Sequence, residues 1–223
     1  MISFENVRYR RLFIDSLTIA PGVTSIIGPN GSGKSTFLKI CAGIAEPDCG
    51  SVLVDGRSPR ETEIGYVNEF PDRNILFSTV KDELASPLRF RHTMCKETDQ
   101  AVRACGEMMG ITRLLDRNMQ DLSGGEKVLV AIATACISRP RVLILDECDS
   151  HLDADRCAWL DTVLRASGAE YIIRCTQQVE SAANGDHLLF IEKGRMMHAG
   201  TPAAVFPLLA GTPFYPLSWR CPV

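Results

Sequence analysis

Gly28-Pro29-Asn30-Gly31-Ser32-Gly33-Lys34-Ser35-Thr36 lies between two apolar stretches, and its reading decides the fold. Before it, Val23-Thr24-Ser25-Ile26-Ile27 has the texture of a buried strand; after it, Phe37-Leu38-Lys39-Ile40-Cys41-Ala42 reads as the start of a helix. Strand, glycine-rich loop with GxxxxGKS spacing, and helix together form the context of a phosphate-binding loop. Gly28, Gly31 and Gly33 let the backbone turn until several N–H groups face one anion. The positive end of the following helix dipole adds to that field. Lys34 is then placed to reach the β- and γ-phosphates, and the Ser35 hydroxyl to ligate Mg²⁺. The competing reading is a glycine-rich turn with an accidental lysine, and the full pattern in this setting argues against it.

Around this loop the chain has 223 residues, which suits one α/β domain with a small subdomain. Such a length buries about 70–75% of the extended-chain surface and needs no covalent staples. The formal net charge of −3 gives no electrostatic case for a nucleic-acid partner, and none is expected. The nine cysteines form no CxxC pair, which points to free thiols in a reducing cytosol. Met1-Ile2-Ser3-Phe4-Glu5-Asn6 has no basic-then-apolar signal pattern. The apolar run from Val128 to Ile137 is about half the roughly 20 residues needed to span a bilayer, so a membrane role would go through a partner.

Short strands are expected at 2–7, 12–19, 51–54 and 64–67, with turns at Pro21-Gly22 and Asp55-Gly56. From about residue 71 to 121 strand runs vanish and helical periodicity takes over, at Val80–Phe90, Glu97–Met109 and near Leu114; this reads as a helical subdomain inserted in a single domain, 1–223. Ser123 resembles an N-cap, with Glu126 completing a capping box. Val142-Leu143-Ile144-Leu145 reads as a central parallel strand, 153–166 as a helix, and Tyr171–Cys175 as another strand. A hairpin through Lys193-Gly194 and a short helix from Thr201-Pro202 follow. The fold class expected is a three-layer α/β core of P-loop NTPase type with an antiparallel β edge.

Two further motifs carry chemistry. The strand ending Asp146-Glu147 would deliver Asp146 beside the phosphate loop to hold Mg²⁺, directly or through water, and Glu147 to polarise a water. Leu122-Ser123-Gly124-Gly125-Glu126 exposes backbone N–H groups at a helix start, a second anion site. A capping box explains the Ser and the Glu but not the two glycines.

With these motifs in this order the chain resembles the ATP-binding-cassette (ABC) ATPases, over essentially its whole length. GPNGSGKST, LSGGE, VLILDE, Asp153 of Ser150-His151-Leu152-Asp153, and the endings Glu192-Lys193-Gly194-Arg195 and Gly200-Thr201-Pro202 all fall in the family's sequence. The resemblance implies ATP and Mg²⁺ as ligands and head-to-tail association with a second such ATPase, each ATP held by one phosphate loop and covered by the other chain's LSGGE. Ser123, Gly124, Gly125 and Glu126 would therefore serve the partner's nucleotide, and Asp153 would lie at the dimer contact. Tyr9 matches the aromatic residue that stacks on adenine; an ordinary edge-strand tyrosine is the alternative. The segment from Gly65 to Leu84 looks most like the ATPases of energy-coupling-factor importers, which take up vitamins and metals such as cobalt or nickel. That implies a peripheral, cytoplasmic ATPase on an integral membrane subunit.

Two positions depart from the family pattern. Glu69 stands where Gln is usual; it can ligate Mg²⁺ but adds negative charge near phosphates. Gln177 stands where the switch His follows Thr176, and an amide hydrogen-bonds but carries neither proton nor positive charge. Leu129 also replaces the usual Arg after the signature. Either Gln177 supports slow hydrolysis, or the site is structural and the chain pairs with a fully equipped subunit. A non-transport relative and a module that binds ATP without turnover stay open as alternatives.

Overall fold

The computed structural model describes residues 1–70, 74–148 and 154–219. Nine strands join in one sheet. In chain order they are β1 (Ile2–Tyr9), β2 (Leu12–Ile19), β3 (Gly22–Ile27), β4 (Cys49–Val54), β5 (Ile64–Val67), β6 (Val142–Asp146), β7 (Tyr171–Cys175), β8 (His187–Glu192) and β9 (Arg195–Gly200). Their spatial order is β4-β1-β2-β9-β8-β3-β7-β6-β5. Strands β8, β3, β7, β6 and β5 run parallel; β1, β2 and β4 pair antiparallel, and β8 and β9 form a hairpin. The antiparallel part is thus a continuation of the same sheet. Its link is narrow: Phe13 of β2 pairs with Arg195 of β9, and the Phe13 N–H donates to the Gly194 carbonyl at 2.7 Å.

The helices are α1 (Lys34–Cys41), α2 (Val80–Phe90), α3 (Cys95–Met108), α4 (Gly124–Cys136), α5 (Ala154–Ala166), α6 (Val179–Ala183) and α7 (Pro202–Val205). Side-chain alternation sorts β6 between two cores. Val142 and Ile144 point to the α1 side, where Phe37, Leu38 and Ile40 meet Phe4, Val7, Leu12, Ile26 and Ile173. Leu143 and Leu145 point to the other side, against Leu84, Val102, Val130, Ile132, Leu160 and Leu164 of α2 to α5. The unbroken apolar run therefore reports burial on both faces, not centrality: β6 is one strand in from the β5 edge. A smaller third core gathers Ile27, Leu188 and Phe190 with Ala182, Val205, Phe206 and Leu209. Each fully buried Leu, Ile or Phe contributes about 1.5–3 kcal/mol.

Helix α1 begins at Lys34, three residues earlier than the apolar pattern indicates, because Gly33 at φ 107 caps it in the left-handed region. Among the described residues from 74 to 121 there are helices and turns, with one isolated bridge between Thr79 and Asn118. Thr79 caps α2, its hydroxyl accepting from the Asp82 N–H at 3.2 Å. The cysteines described are free; burial pushes the Cys105 thiol to about 11 and the Cys136 thiol to about 12, so both stay protonated.

A buried arginine sits in the parallel core. Arg174, 5% exposed on β7, donates to Ser25 Oγ at 3.1 Å and to the Ser181 carbonyl at 2.6 Å, and pairs with Asp161 of α5. It ties three elements together through a charge that is costly to strand. Arg174→Ala is expected to lower unfolding free energy by about 3 kcal/mol in urea titration. Arg174→Met with Asp161→Leu should recover most of the loss; a double variant as unstable as the single one would contradict this.

Candidate functional site

Parallel pairing brings four strand ends into one row. Ile26 of β3 lies opposite Cys175 of β7, Cys175 opposite Asp146 of β6, and Leu145 opposite Val67 of β5. The residues at the ends of these strands therefore gather at one edge of the sheet, and they include Glu69, Asp146, Glu147 and Gln177.

The loop 28–36 wraps this edge. Gly28 has φ 148, and a Cβ there would lie 2.1 Å from the Ile191 carbonyl oxygen, so only glycine fits. Lys34 is buried; its ammonium donates to the carbonyls of Gly28 at 3.0 Å and Pro29 at 3.2 Å, and lies 3.8 Å from Glu147 Oε1. The lysine thus closes its own loop, and a polyanion entering the loop would meet a charge already held in place. A cavity of about 340 Å³ opens here, with Asn30, Gly31, Gly33, Lys34, Ser35 and Thr36 on the loop side and Glu69, Glu147 and Gln177 opposite.

Asp146, 4% exposed, accepts from the Ser35 hydroxyl at 3.1 Å and the Tyr66 hydroxyl at 3.3 Å. Burial raises its pKa, and the negative charges of Glu147 and Glu69 add to the rise, against the two hydroxyl bonds. Burial, then the charge of Asp146, pushes the Tyr66 phenol well up, so Tyr66 remains a donor. Glu147 adopts φ 52, a left-handed backbone that costs on the order of 1 kcal/mol in a non-glycine residue. Its N–H donates to the Cys175 carbonyl at 3.1 Å. Its carboxylate turns toward the cavity and accepts from Gln177 Nε2 at 2.6 Å and from the Cys175 thiol at 3.7 Å.

The Ser35 hydroxyl and Asp146 carboxylate, with Glu69 on the cavity wall, are hard oxygen donors of the kind Mg²⁺ takes. Among the described residues no group of three or more His, Cys, Asp or Glu could cage a metal by itself. The set fits an ion that completes its shell with phosphate oxygens and water.

The signature residues stand elsewhere. Ser123 caps α4 in a complete capping box: its hydroxyl accepts from the Glu126 N–H at 3.3 Å, and Glu126 Oε2 accepts from the Ser123 N–H at 3.0 Å. The Ser123 N–H first, and then the Ser123 hydroxyl, which donates to Glu126 Oε2 at 3.0 Å, hold the Glu126 carboxyl below its usual pKa. None of Ser123, Gly124, Gly125 or Glu126 lines the cavity around Lys34. Tyr9 ends β1, half-buried against the α1-side core, with the Arg10 guanidinium 5.2 Å from its ring centre. Asp153 lies outside the described residues. The sequence reading missed Tyr66 as a partner of Asp146, and it missed a second cavity beside the loop, formed by Arg10, Arg11 and Lys193. Alternation in Ile64–Val67 shows which way Tyr66 points, but not that Asp146 lies across the β5–β6 pairing.

The family described as ABC transporter matches residues 14–150, which hold the phosphate loop, the signature and Asp146-Glu147. This chain belongs to that family. It is 32% identical to the energy-coupling factor transporter ATP-binding protein EcfA1 of Latilactobacillus sakei, over 92% of this chain and 78% of the relative. It is 33% identical to the trehalose/maltose import ATP-binding protein MalK of Thermococcus litoralis, over 84% of this chain; it spans only 54% of that relative's length. Among solved structures, cbiO1 of Clostridium perfringens, part of the ABC transporter complex cbiONQ, superposes with a TM-score of 0.83 at 28% identity, covering 92% of this chain and 90% of cbiO1. The ABC ATPase fold expected from the sequence is thereby shown.

The charge crowding around Asp146 has a measurable consequence. Its folded pKa is raised, so between the unfolded value near about 4 and the higher folded value the native state binds more protons, and stability falls as pH rises. Asp146→Asn removes that penalty. The metal-free variant should melt above wild type at pH 7.5, with the difference shrinking toward pH 4, while stabilisation by Mg²⁺ and ATP is lost. A variant no more stable than wild type at neutral pH would contradict the electrostatic account.

Proposed function

We propose that this chain is an ATP-binding and ATP-hydrolysing subunit of a membrane importer for a micronutrient, a metal ion or vitamin. It is a single ABC ATPase domain, 1–223, with about 71–121 as its helical subdomain, working on the cytoplasmic face of the membrane. The observation that carries this reading is the shared cavity in which Lys34 meets Glu147 and Gln177, beside the Ser35–Asp146 pair. The likeness to energy-coupling factor ATP-binding proteins and to cbiO1 supports the importer assignment.

Gly28 to Thr36 hold the triphosphate, with loop N–H groups and Lys34 on its oxygens. Mg²⁺, held through Ser35 and Asp146 with Glu69 nearby, would neutralise charge that develops on the phosphates. Glu147 orients and polarises the attacking water. Gln177 holds the Glu147 carboxylate by a hydrogen bond from Nε2, which keeps it aimed but offers no charge to the γ-phosphate. Turnover is therefore slow. The signature, away from its own cavity, closes over the nucleotide of a second ATPase, identical or different, and Asp153 lies at that contact.

A groove of about 290 Å³ between β5, α2 and α4, walled by Ile64, Ile75, Pro87, Arg91 and Lys127, receives a short helix of the membrane subunit. Exposed Leu76 and Phe90 add apolar surface on the helical part. No helix among the described residues is long and apolar enough to cross a membrane.

Glu147→Gln should retain ATP binding and lower turnover by about 10²–10³-fold, whereas Gln177→His should raise it about tenfold. The hydrolytic reading fails if wild type and Gln177→His are both inert in the assembled complex and Glu147→Gln changes nothing. Purification from gently solubilised membranes should recover an integral membrane subunit with this chain. Recovery only from the soluble fraction would contradict the transport role.

A further inference from the structure

The switch residue Gln177 is exposed, in a short turn between β7 and α6. Helix α6 has only five residues, and a helix of that length is not stable without support from outside itself. Gln178 supplies no side-chain cap; its N–H donates instead to Thr176 Oγ at 2.9 Å. What fixes α6 must therefore come from other elements. One anchor holds its far end, where the Ser181 carbonyl accepts from Arg174 at 2.6 Å and Ala182 packs into the third core.

The second anchor holds the first turn, nearest the switch. Both carboxylate oxygens of Glu180 are taken by one residue of the C-terminal segment. Oε1 accepts from the Ser218 N–H at 3.1 Å, and Oε2 accepts from the Ser218 hydroxyl. These bonds, hydroxyl first, hold the Glu180 carboxyl below its usual pKa. The helix dipole alone favours an acidic residue in a first turn. It does not explain why both oxygens turn to a residue 38 positions further on. The segment that carries Ser218 is in turn held by aromatic contacts. The Trp219 ring meets Phe206 edge-on at 5.2 Å between centres, Phe214 meets Phe190 at 5.3 Å, and Tyr215 Oη donates to the Trp219 carbonyl at 3.2 Å. Phe190 of β8 lies opposite Ile27, the residue before Gly28. Ser218 thus stands on the same packed layer that roots the phosphate loop, and Glu180 ties α6 to it.

We infer that Glu180 and Ser218 are positioning residues for the switch: the C-terminal segment clamps the start of α6 and thereby holds Gln177 on the Glu147 carboxylate. Neither residue lines the cavity around Lys34. They act through Gln177, whose Nε2 donates to Glu147 Oε2 at 2.6 Å. Only Gln178 and Val179 separate Gln177 from Glu180, so few torsions can absorb a displacement of the helix start. Glu180 and Ser218 are both exposed, and bonds between exposed groups are modest, so the clamp tunes turnover by a few-fold and does not switch it off. This role rests on the hydrolytic reading above and adds to it what sets the switch.

ATPase assays of the assembled complex and hydrogen exchange of the full chain test it together. Ser218→Ala and Glu180→Ala should each lower kcat about threefold, with the KM for ATP and the melting temperature nearly unchanged. Ser218→Thr, which keeps both donors, should retain the wild-type kcat. In a Gln177→Ala background Ser218→Ala should cost nothing further, because the two act on one path. In the exchange experiment the amides of 177–183 should exchange faster in Ser218→Ala, while those of α1 and α4 keep their wild-type rates. Additive losses in the double variant, a change in KM rather than kcat, or unaltered exchange over 177–183 would each overturn the clamp. If wild type hydrolyses no ATP, the hydrolytic reading fails, and exchange by itself still decides whether Ser218 holds the switch.

Discussion

The parallel register of β3, β7 and β6 is the constraint on which the rest depends. Ile26, Cys175 and Asp146 stand side by side, so what each strand releases at its end arrives at the same place. A slip of one residue in any pairing would turn every side chain of that strand to the opposite face. Two sorted cores hold the register against such a slip: Val142 and Ile144 belong to one, Leu143 and Leu145 to the other. Packing thus fixes the position of the acidic pair before any ligand is present. The Glu147 backbone, held at φ 52 by the Cys175 carbonyl, converts that fixed position into a carboxylate aimed at the cavity.

Function then follows from a deliberate imbalance of charge. Asp146, Glu147 and Glu69 gather near one buried ammonium, Lys34, and burial raises the cost of ionising Asp146. A site of this kind carries unfavourable electrostatics that a bound cation would relieve, so that ligand and fold would stabilise one another. Gln177 fits the same logic. It satisfies Glu147 by a hydrogen bond without adding a charge. The signature carries no such burden; its capping box leaves it formed and presented independently of the cavity.

Much of this was legible in the sequence because it is local. The phosphate loop, the capping box at Ser123 and Glu126, the strand before Asp146 and the hairpin at Lys193-Gly194 each declare themselves within a few residues. What stayed hidden is what contacts across the chain decide. Arg174 looked like one charge in an apolar strand, and only the fold shows Ser25, Ser181 and Asp161 around it. Tyr66 meets Asp146 through the β5–β6 pairing. The aromatic at position 9 drew the eye, but the turn that follows it puts Arg10 and Arg11 at the cavity. Pairing of β2 with β9 through one residue pair has no local signal either.

The central claim is that these strand ends form one site for a metal–nucleotide pair, with Asp146 and Ser35 supplying the protein's share of the ligands. Substituting Mn²⁺ for Mg²⁺ and recording pulsed electron–nuclear double resonance of the chain with ATP tests it most directly. The account predicts about one Mn²⁺ per chain, bound only when ATP is present, with resolved coupling to nucleotide ³¹P that is lost in Asp146→Asn. Mn²⁺ that binds equally well without nucleotide, or that shows no phosphorus coupling, would contradict it.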